Sequence, residues 1–343
     1  MKAGLVYDPI YLDHDTGGHV ENARRLEAII SHLEETKLME QLTPVKPRPA
    51  TIGELSRVHP EQHIVHLEEV AQRGGGWLDT DTVISAGSYE AALYAAGGVI
   101  EATRSVMAGE VTSAFALVRP PGHHATPRRS MGFCLFSNVA VAARYALAEY
   151  GLERILIIDF DVHHGNGTQE VFYYDPQVCY ISTHQYPFYP GTGRGEEAGT
   201  GVARGTTVNI PLPARCGDAE YVPVFNQIIV PVARRFQPQF IMVSAGYDAH
   251  WADELALMQV SISGYVRMIT IIKELADELC SGRLVFSLEG GYNLNALATG
   301  VKSTFDVLLG NVTDDPLGHP PRHFTTPDIG DLITAIKEIH RLA

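Results

Sequence analysis

Asp159, Asp161 and His163 stand two residues apart in the stretch ILIIDFDVHHGNGTQ, residues 155–169. Residues two apart on an extended chain face the same side. Two carboxylates and an imidazole therefore converge where the apolar run 155–158 gives way to the turn Gly165-Asn166-Gly167. Carboxylate oxygen and imidazole nitrogen suit zinc or a similar divalent ion. For this stretch alone, an Asp pair capping a loop with two surface histidines is the plainer alternative.

The elements that must position these groups form a rhythm. Apolar runs at 2–7, 112–118, 154–160, 178–183, 206–212, 240–245 and 283–289 read as strands. Helical spacing is expected at 21–35, 61–72, 88–108, 137–150, 168–174, 219–236, 261–279, 293–309 and 328–342. Strands that alternate with helices imply a parallel sheet covered on both faces, a three-layer α/β/α architecture. Residues 43–51, with three prolines, read as a linker, and 311–327 as a Pro/His-rich connection. Gly97-Gly98 marks a close approach of another element. Arg24 and Arg25 oppose the usual charge preference at a helix start and are expected to be solvated. No repeat or domain break interrupts the chain, so residues 1–343 are expected to form one domain.

Ligands of such sheets sit outside the carboxyl ends of the strands. Four predicted strand ends carry chemistry: RPPGHHA with His123 and His124, the 159–166 segment, GYDAH with Asp248, and EGGYN with Tyr292. Asp161, His163 and Asp248 would give a metal one nitrogen and two carboxylates and leave positions open. Either histidine at 123 or 124 suits the base and acid. Asp159 and Asn166 can orient their ring N–H groups, and Tyr292 can donate to an oxyanion. The chemistry is metal-assisted hydrolysis of an amide or ester. GTGRG at 191–195 follows Pro190 and leads into more loop, so it is not read as a phosphate site.

The segments RPPGHHA, GFC, DFDVHHGNGTQ, PGTG, AGYDAH and EGGYN, in this order, resemble the histone deacetylase superfamily, which includes acetylpolyamine amidohydrolases and acetoin-utilisation proteins. The resemblance implies the arginase/deacetylase fold around an eight-stranded, mostly parallel sheet. It implies Zn²⁺ on Asp161, His163 and Asp248, and His124 as general base and acid. It implies His123 paired with Asp159, and Tyr292 as oxyanion donor. It also implies a structural K⁺ or Na⁺ near Asp159, Asp161, His163, Ser182 and Thr183, and a second at the main chain of Phe172, Asp175 and Val178. Tunnel walls fall on Gly132, Phe133, Tyr189 and Leu255. Asn166 stands where class I members carry Asp, so His124 is expected to be less basic than there. Val20 stands where the first motif usually reads HPE. His164 is not expected to be a ligand.

The implied reaction is hydrolysis of an N-acetylated small molecule or peptide amine to acetate and free amine. A binuclear manganese ureohydrolase and an inactive acetyl-lysine binder are the alternatives. Asp13, Asp15, Asp79 and Asp81 are candidates for holding a polyamine tail. The chain has 343 residues, 45% hydrophobic composition and a net charge of −14, which argues against nucleic acid as a general partner. Four scattered cysteines and no long apolar segment read as a cytoplasmic protein without a membrane partner. The loop at 8–20 and the C-terminal tail are candidate contacts in a homo-oligomer.

Overall fold

The central strands are short, apolar and buried on both faces, which only helices packed on both sides can provide. The computed structural model describes residues 2–320 and 325–343. Part of the 311–327 connection, residues 321–324, therefore lies outside the described residues. The strands are β1 (Ala3–Val6), β2 (Thr43–Val45), β3 (Gly75–Trp77), β4 (Val83–Ser85), β5 (Ser113–Ala116), β6 (Ile155–Asp159), β7 (Val178–Gln185), β8 (Thr207–Leu212), β9 (Phe240–Ala245) and β10 (Leu284–Leu288). Eight of them form one sheet in the order β2-β1-β5-β10-β9-β6-β7-β8, and every pair in it is parallel. The short β3 and β4 pair as a separate antiparallel hairpin.

The helices are α1 (Arg24–Glu35), α2 (Ile52–Leu55), α3 (Glu61–Gln72), α4 (Ser88–Met107), α5 (Asn138–Tyr150), α6 (Asn166–Phe172), α7 (Asp218–Val224), α8 (Val230–Phe236), α9 (Ile262–Cys280), α10 (Leu294–Leu309) and α11 (Gly330–His340). α1, α9 and α10 pack together, and α4 packs on α5. β9 is touched by α5 and α9, and β1 by α4 and α10, one helix from each group. The sheet thus lies between two helical layers, with one continuous apolar core around it.

The eighth strand is hidden in the stretch read as a proline-rich linker. β2 pairs with β1 at the sheet edge, with Pro44 opposite Leu5. An edge strand tolerates a proline because one side of its ladder needs no donor. The single helix expected at 219–236 is divided by a π-turn at Phe225–Ile229. Pro231 has no N–H to continue the α-helical ladder, which accounts for the irregular turn before it. The Gly97-Gly98 expectation holds: a Cβ on Gly97 would come 1.8 Å from the Arg48 carbonyl oxygen.

The strands that end in reactive side chains, β5, β10, β9 and β6, are four adjacent strands in the middle of the sheet. Their loops therefore open onto one place, although they are far apart in the chain.

Candidate active site

The apolar run of β6 ends at Asp159, and the chain leaves the sheet with Asp161 and His163 on one side. Asp248 comes from the loop after β9. His163 Nδ1 lies 3.1 Å from Asp161 Oδ1 and 3.2 Å from Asp248 Oδ2. One ligand atom from each of the three residues lies within 4.8 Å of the others. Asp161 Oδ2 accepts from Gly290 N at 2.8 Å, and Asp248 Oδ1 from Val162 N at 2.9 Å. Asp248 Oδ2 is buried, and apart from the 3.2 Å approach of His163 Nδ1 no donor among the described residues satisfies it. Burial and then the charge of Asp161 push the Asp248 carboxyl up to about 7. Burial opposes a charge on His163, but the bonds to Asp161 and Asp248 outweigh it and lift the ring to about 9. A carboxylate oxygen so poorly satisfied in a dry site is costly. A divalent cation relieves that cost, so this donor set fits zinc. Gly290 permits the approach: a Cβ there would come 2.2 Å from Asp248 Oδ2.

The two histidines after β5 face different partners. His123 Nδ1 lies 3.2 Å from Asp159 Oδ2, which also accepts from the Tyr180 hydroxyl at 2.9 Å. Burial works against a charged His123, but Asp161 and Asp159 raise it to about 10. His124 Nδ1 lies 2.8 Å from Asn166 Oδ1 at the start of α6. That bond assigns the proton to Nδ1 and leaves Nε2 as an acceptor. Burial, then His123 and His163, hold His124 well below the ordinary histidine range.

His124, His163 and Tyr292 line one cavity of about 230 Å³ together with Gly132, Phe133, Tyr189 and Leu255. Phe188 and Asp81 complete the lining. The Phe188 ring stacks on His163 at 5.4 Å, and the Phe133 and Tyr292 rings meet edge-on at 5.9 Å. Gly132 is required here, because a Cβ would come 2.3 Å from the His124 ring. Phe133 has φ 69°, a left-handed conformation that costs a non-glycine residue energy and turns its ring into the wall.

Arg25, expected to be solvated, is fully buried. It donates to Gly291 O at 2.7 Å and Glu289 O at 2.5 Å, and its guanidinium carbon lies 5.1 Å from the centre of the Tyr292 ring. Glu21 holds it at 3.0 Å and also takes both ends of the Arg119 fork, at 2.5 and 2.8 Å. The one sequence signal for Arg25 was a cation in the wrong turn of a helix. Asp253 anchors the same loop, accepting from Tyr292 N at 2.6 Å.

Other expected groups lie elsewhere or are committed. The four acidic candidates for a polyamine tail do not gather at the cavity. Asp81 lines it, Asp79 pairs with Arg129 at 2.7 Å, Asp15 lines a separate hollow beside Gly17, and Asp13 ends the 3₁₀ turn Pro9–Asp13 outside the lining. His164 bonds Thr192 and Gln169 at 2.8 and 3.0 Å, outside the ligand group. Ser182 Oγ lies 2.9 Å from His184 Nδ1, and Thr183 Oγ1 is buried without a partner. Arg144 engages the Asp175 carboxylate and lies over the Phe172 ring, while Val178 starts β7. A second grouping, His123, Cys134 and Glu289, also lies within metal-ligand range. Glu289 is already used there, accepting from Gly122 N, His123 N and Ser244 Oγ.

The Histone deacetylase domain family matches residues 19–308. The chain is 41% identical to Histone deacetylase 10, chloroplastic, of Oryza sativa subsp. japonica, over 96% of this chain and 79% of that protein. It is 43% identical to a probable deacetylase of Archaeoglobus fulgidus, over 86% of this chain and 82% of that protein. Among solved structures it superposes on the crystal structure of the HDA15 HD domain with a TM-score of 0.90 and 35% identity, covering 99% of this chain and 94% of that one.

Proposed function

The chain belongs to the histone deacetylase family, and from that premise we propose that it is a zinc-dependent deacetylase of N-acetyl-lysine or a similar linear acylated amine. One observation carries the reading: a single cavity joins His124 and Tyr292 to the group Asp161, His163 and Asp248. Asp161, His163 and Asp248 would hold the zinc, which would supply a water of lowered pKa and polarise the amide carbonyl. The aromatic walls Phe133, Phe188 and Tyr189 take the methylene chain of the amine.

His124 Nε2 takes the proton from the attacking water and returns it to the leaving nitrogen, while Asn166 fixes the ring through Nδ1. The Tyr292 hydroxyl donates to the oxygen that gains charge. The His123 imidazolium, beside Asp159, offsets part of the carboxylate charge around the site. Asp81, the one carboxylate among the described residues lining the cavity, is placed to meet N–H groups of the substrate amine.

We extend the reading to a monovalent cation near Asp159, Asp161, His163 and Ser182 with the main chain of Thr183, supported by the resemblance. The site at Phe172, Asp175 and Val178 rests on the resemblance. The single continuous core supports one catalytic domain. The four cysteines are unpaired and buried, which supports a reducing compartment such as the cytoplasm. Among the described residues no helix is long and apolar enough to cross a membrane.

The test is acetate release from an acetyl-lysine peptide, an acetylpolyamine and a small acetamide, by protein stripped of metal and reloaded with zinc. Hydrolysis that follows zinc up to one ion per chain is expected. Binding of the peptide by the zinc form without acetate release would overturn the catalytic reading.

A further inference from the structure

A second cavity, of about 390 Å³, opens at the other edge of the sheet. It lies beside Cys179, the second residue of β7, and Thr206, which precedes β8. The reactive side chains described above stand at the opposite, carboxyl ends of the strands. The ends of α8 and α11 close the cavity, and they bring Arg235, His340 and Arg341 into its wall. Arg204 joins them from the loop before β8. None of the described residues lining it is acidic, in a chain with 40 acidic and 26 basic side chains.

The basic groups are only partly used within the fold. Arg235 donates to the His340 carbonyl and so serves the last turn of α11. Among the described residues no carboxylate pairs with Arg204 or Arg341. His340 is 3% exposed, and both of its ring nitrogens are buried without a hydrogen-bond partner. A neutral imidazole carries one donor and one acceptor, and leaving both unpaired in a dry wall is unfavourable. Both nitrogens are closed off as the ring stands, so an oxyanion meets a ring N–H once the side chain turns toward the cavity, and that contact would relieve part of the cost. The carbonyl ends of α8 and α11 oppose an anion here, so the ligand has to gain more from the guanidinium groups than it loses to those carbonyls.

We infer that this cavity binds a phosphorylated small molecule, its phosphate held by Arg204, Arg341 and His340. A phosphate suits the site better than a single carboxylate. It carries up to two charges against several guanidinium groups, and its oxygens match the planar donor fork of arginine. The volume falls in the range of small-ligand pockets.

The test is calorimetric titration of the zinc-loaded protein with inorganic phosphate and with adenosine monophosphate. A zinc-chelating hydroxamate is kept saturating, so that phosphate cannot report on the other cavity. Saturable binding is expected, weakened at least tenfold in Arg204→Gln/Arg341→Gln. Both arginines are exposed, so that variant keeps the fold, and its deacetylation of a reporter should match the parent. In protein labelled with ¹⁵N-histidine, phosphate should shift one ring signal, identified as His340 by its loss in His340→Phe. No saturable binding of either probe overturns the inference, as does unchanged affinity in the double variant. The readout is binding rather than turnover, so it stands apart from the fate of the proposed deacetylase activity.

Discussion

His124 Nδ1 lies 2.8 Å from the side-chain oxygen of Asn166, so the ring of this histidine is oriented by a neutral partner. Its neighbour His123 faces the carboxylate of Asp159 instead, at 3.2 Å. Two adjacent residues of one type are thereby driven to opposite ionisation, the division of labour an acid–base site needs.

Replacing that neutral partner by a charged one should change basicity before it changes geometry. In Asn166→Asp the carboxylate favours the imidazolium, so the His124 pKa rises by about one unit or more. The base must be unprotonated to act, so the acid limb of the kcat/KM profile should move to higher pH. Asn166→Ala, which only releases the ring, should cost roughly 10- to 100-fold in activity. An acid limb unmoved in Asn166→Asp would remove His124 from the role of base.

Tyr292→Phe should keep the fold, because the ring contacts to Phe133 and Arg25 do not need the hydroxyl. The loss should fall on kcat, by about 2–4 kcal/mol of transition-state stabilisation. Steady-state kinetics on an acetyl-lysine reporter decide it. Parental turnover would end the oxyanion role.

Asp248→Asn removes the charge from the buried carboxylate whose Oδ2 faces His163 Nδ1. Zinc retained after dialysis, measured by mass spectrometry, should fall at least tenfold, and activity with it. Chelation of the parent protein should lower its thermal midpoint, because a ligand that binds only the native state stabilises it. Full zinc retention in the variant would exclude Asp248 as a ligand.

Arg25 is fully buried between Glu21 and the Gly291 carbonyl. Arg25→Met leaves Glu21 with Arg119 and His14 and frees the loop that carries Tyr292. A loss of about 3–5 kcal/mol is expected, as for breaking one partner of a buried ion pair, together with lower kcat. Arg25→Lys should not restore either, because an ammonium cannot reproduce the fork. Urea melts alongside turnover separate the two effects.

Acid should unfold the protein through histidines outside the site. His59 accepts from Ser137 N at 3.0 Å, and its other nitrogen lies 3.2 Å from Pro127 O. A proton on Nε2 would set two donors against each other. Burial, then His63, lowers His59 to about 3, and burial also lowers His14 and His184 to about 4. The unfolded chain takes up these protons near pH 6.5, before the native state does. Stability is therefore full above about pH 6.5 and falls as pH drops below it, by about 2–3 kcal/mol for His59 by pH 4.5. His59→Phe should flatten that slope between pH 6.5 and 4.5. An unchanged slope would acquit His59.

Much of the frame was legible because strands buried on both faces must be apolar along their whole length. β6, β9 and β10 show as runs of Ile, Val, Phe and Leu, and the reactive residues follow immediately. β2 was not legible, because Thr43-Pro44-Val45 has the composition of a loop and becomes a strand only by pairing with β1. Nothing in the local sequence around Phe188 or Tyr180 marks either as part of the site. Arg25 looked solvated because a charge is buried only when its partners come from distant parts of the chain, here Glu289 and Gly291.

The sequence by itself determined which side chains could react: Asp161 and His163 by their spacing, and His123, His124, Asp248 and Tyr292 by their place after predicted strands. Strand periodicity is local, so it survives without a fold. The resemblance already paired His123 with Asp159 and set Asn166 against His124; only the tertiary structure decided that these pairs close at 3.2 and 2.8 Å, because each joins the end of β5 to the end of β6 across the sheet. It also decided that β5, β10, β9 and β6 are adjacent, through crossovers that local sequence does not encode, and so brought four distant loops to one cavity.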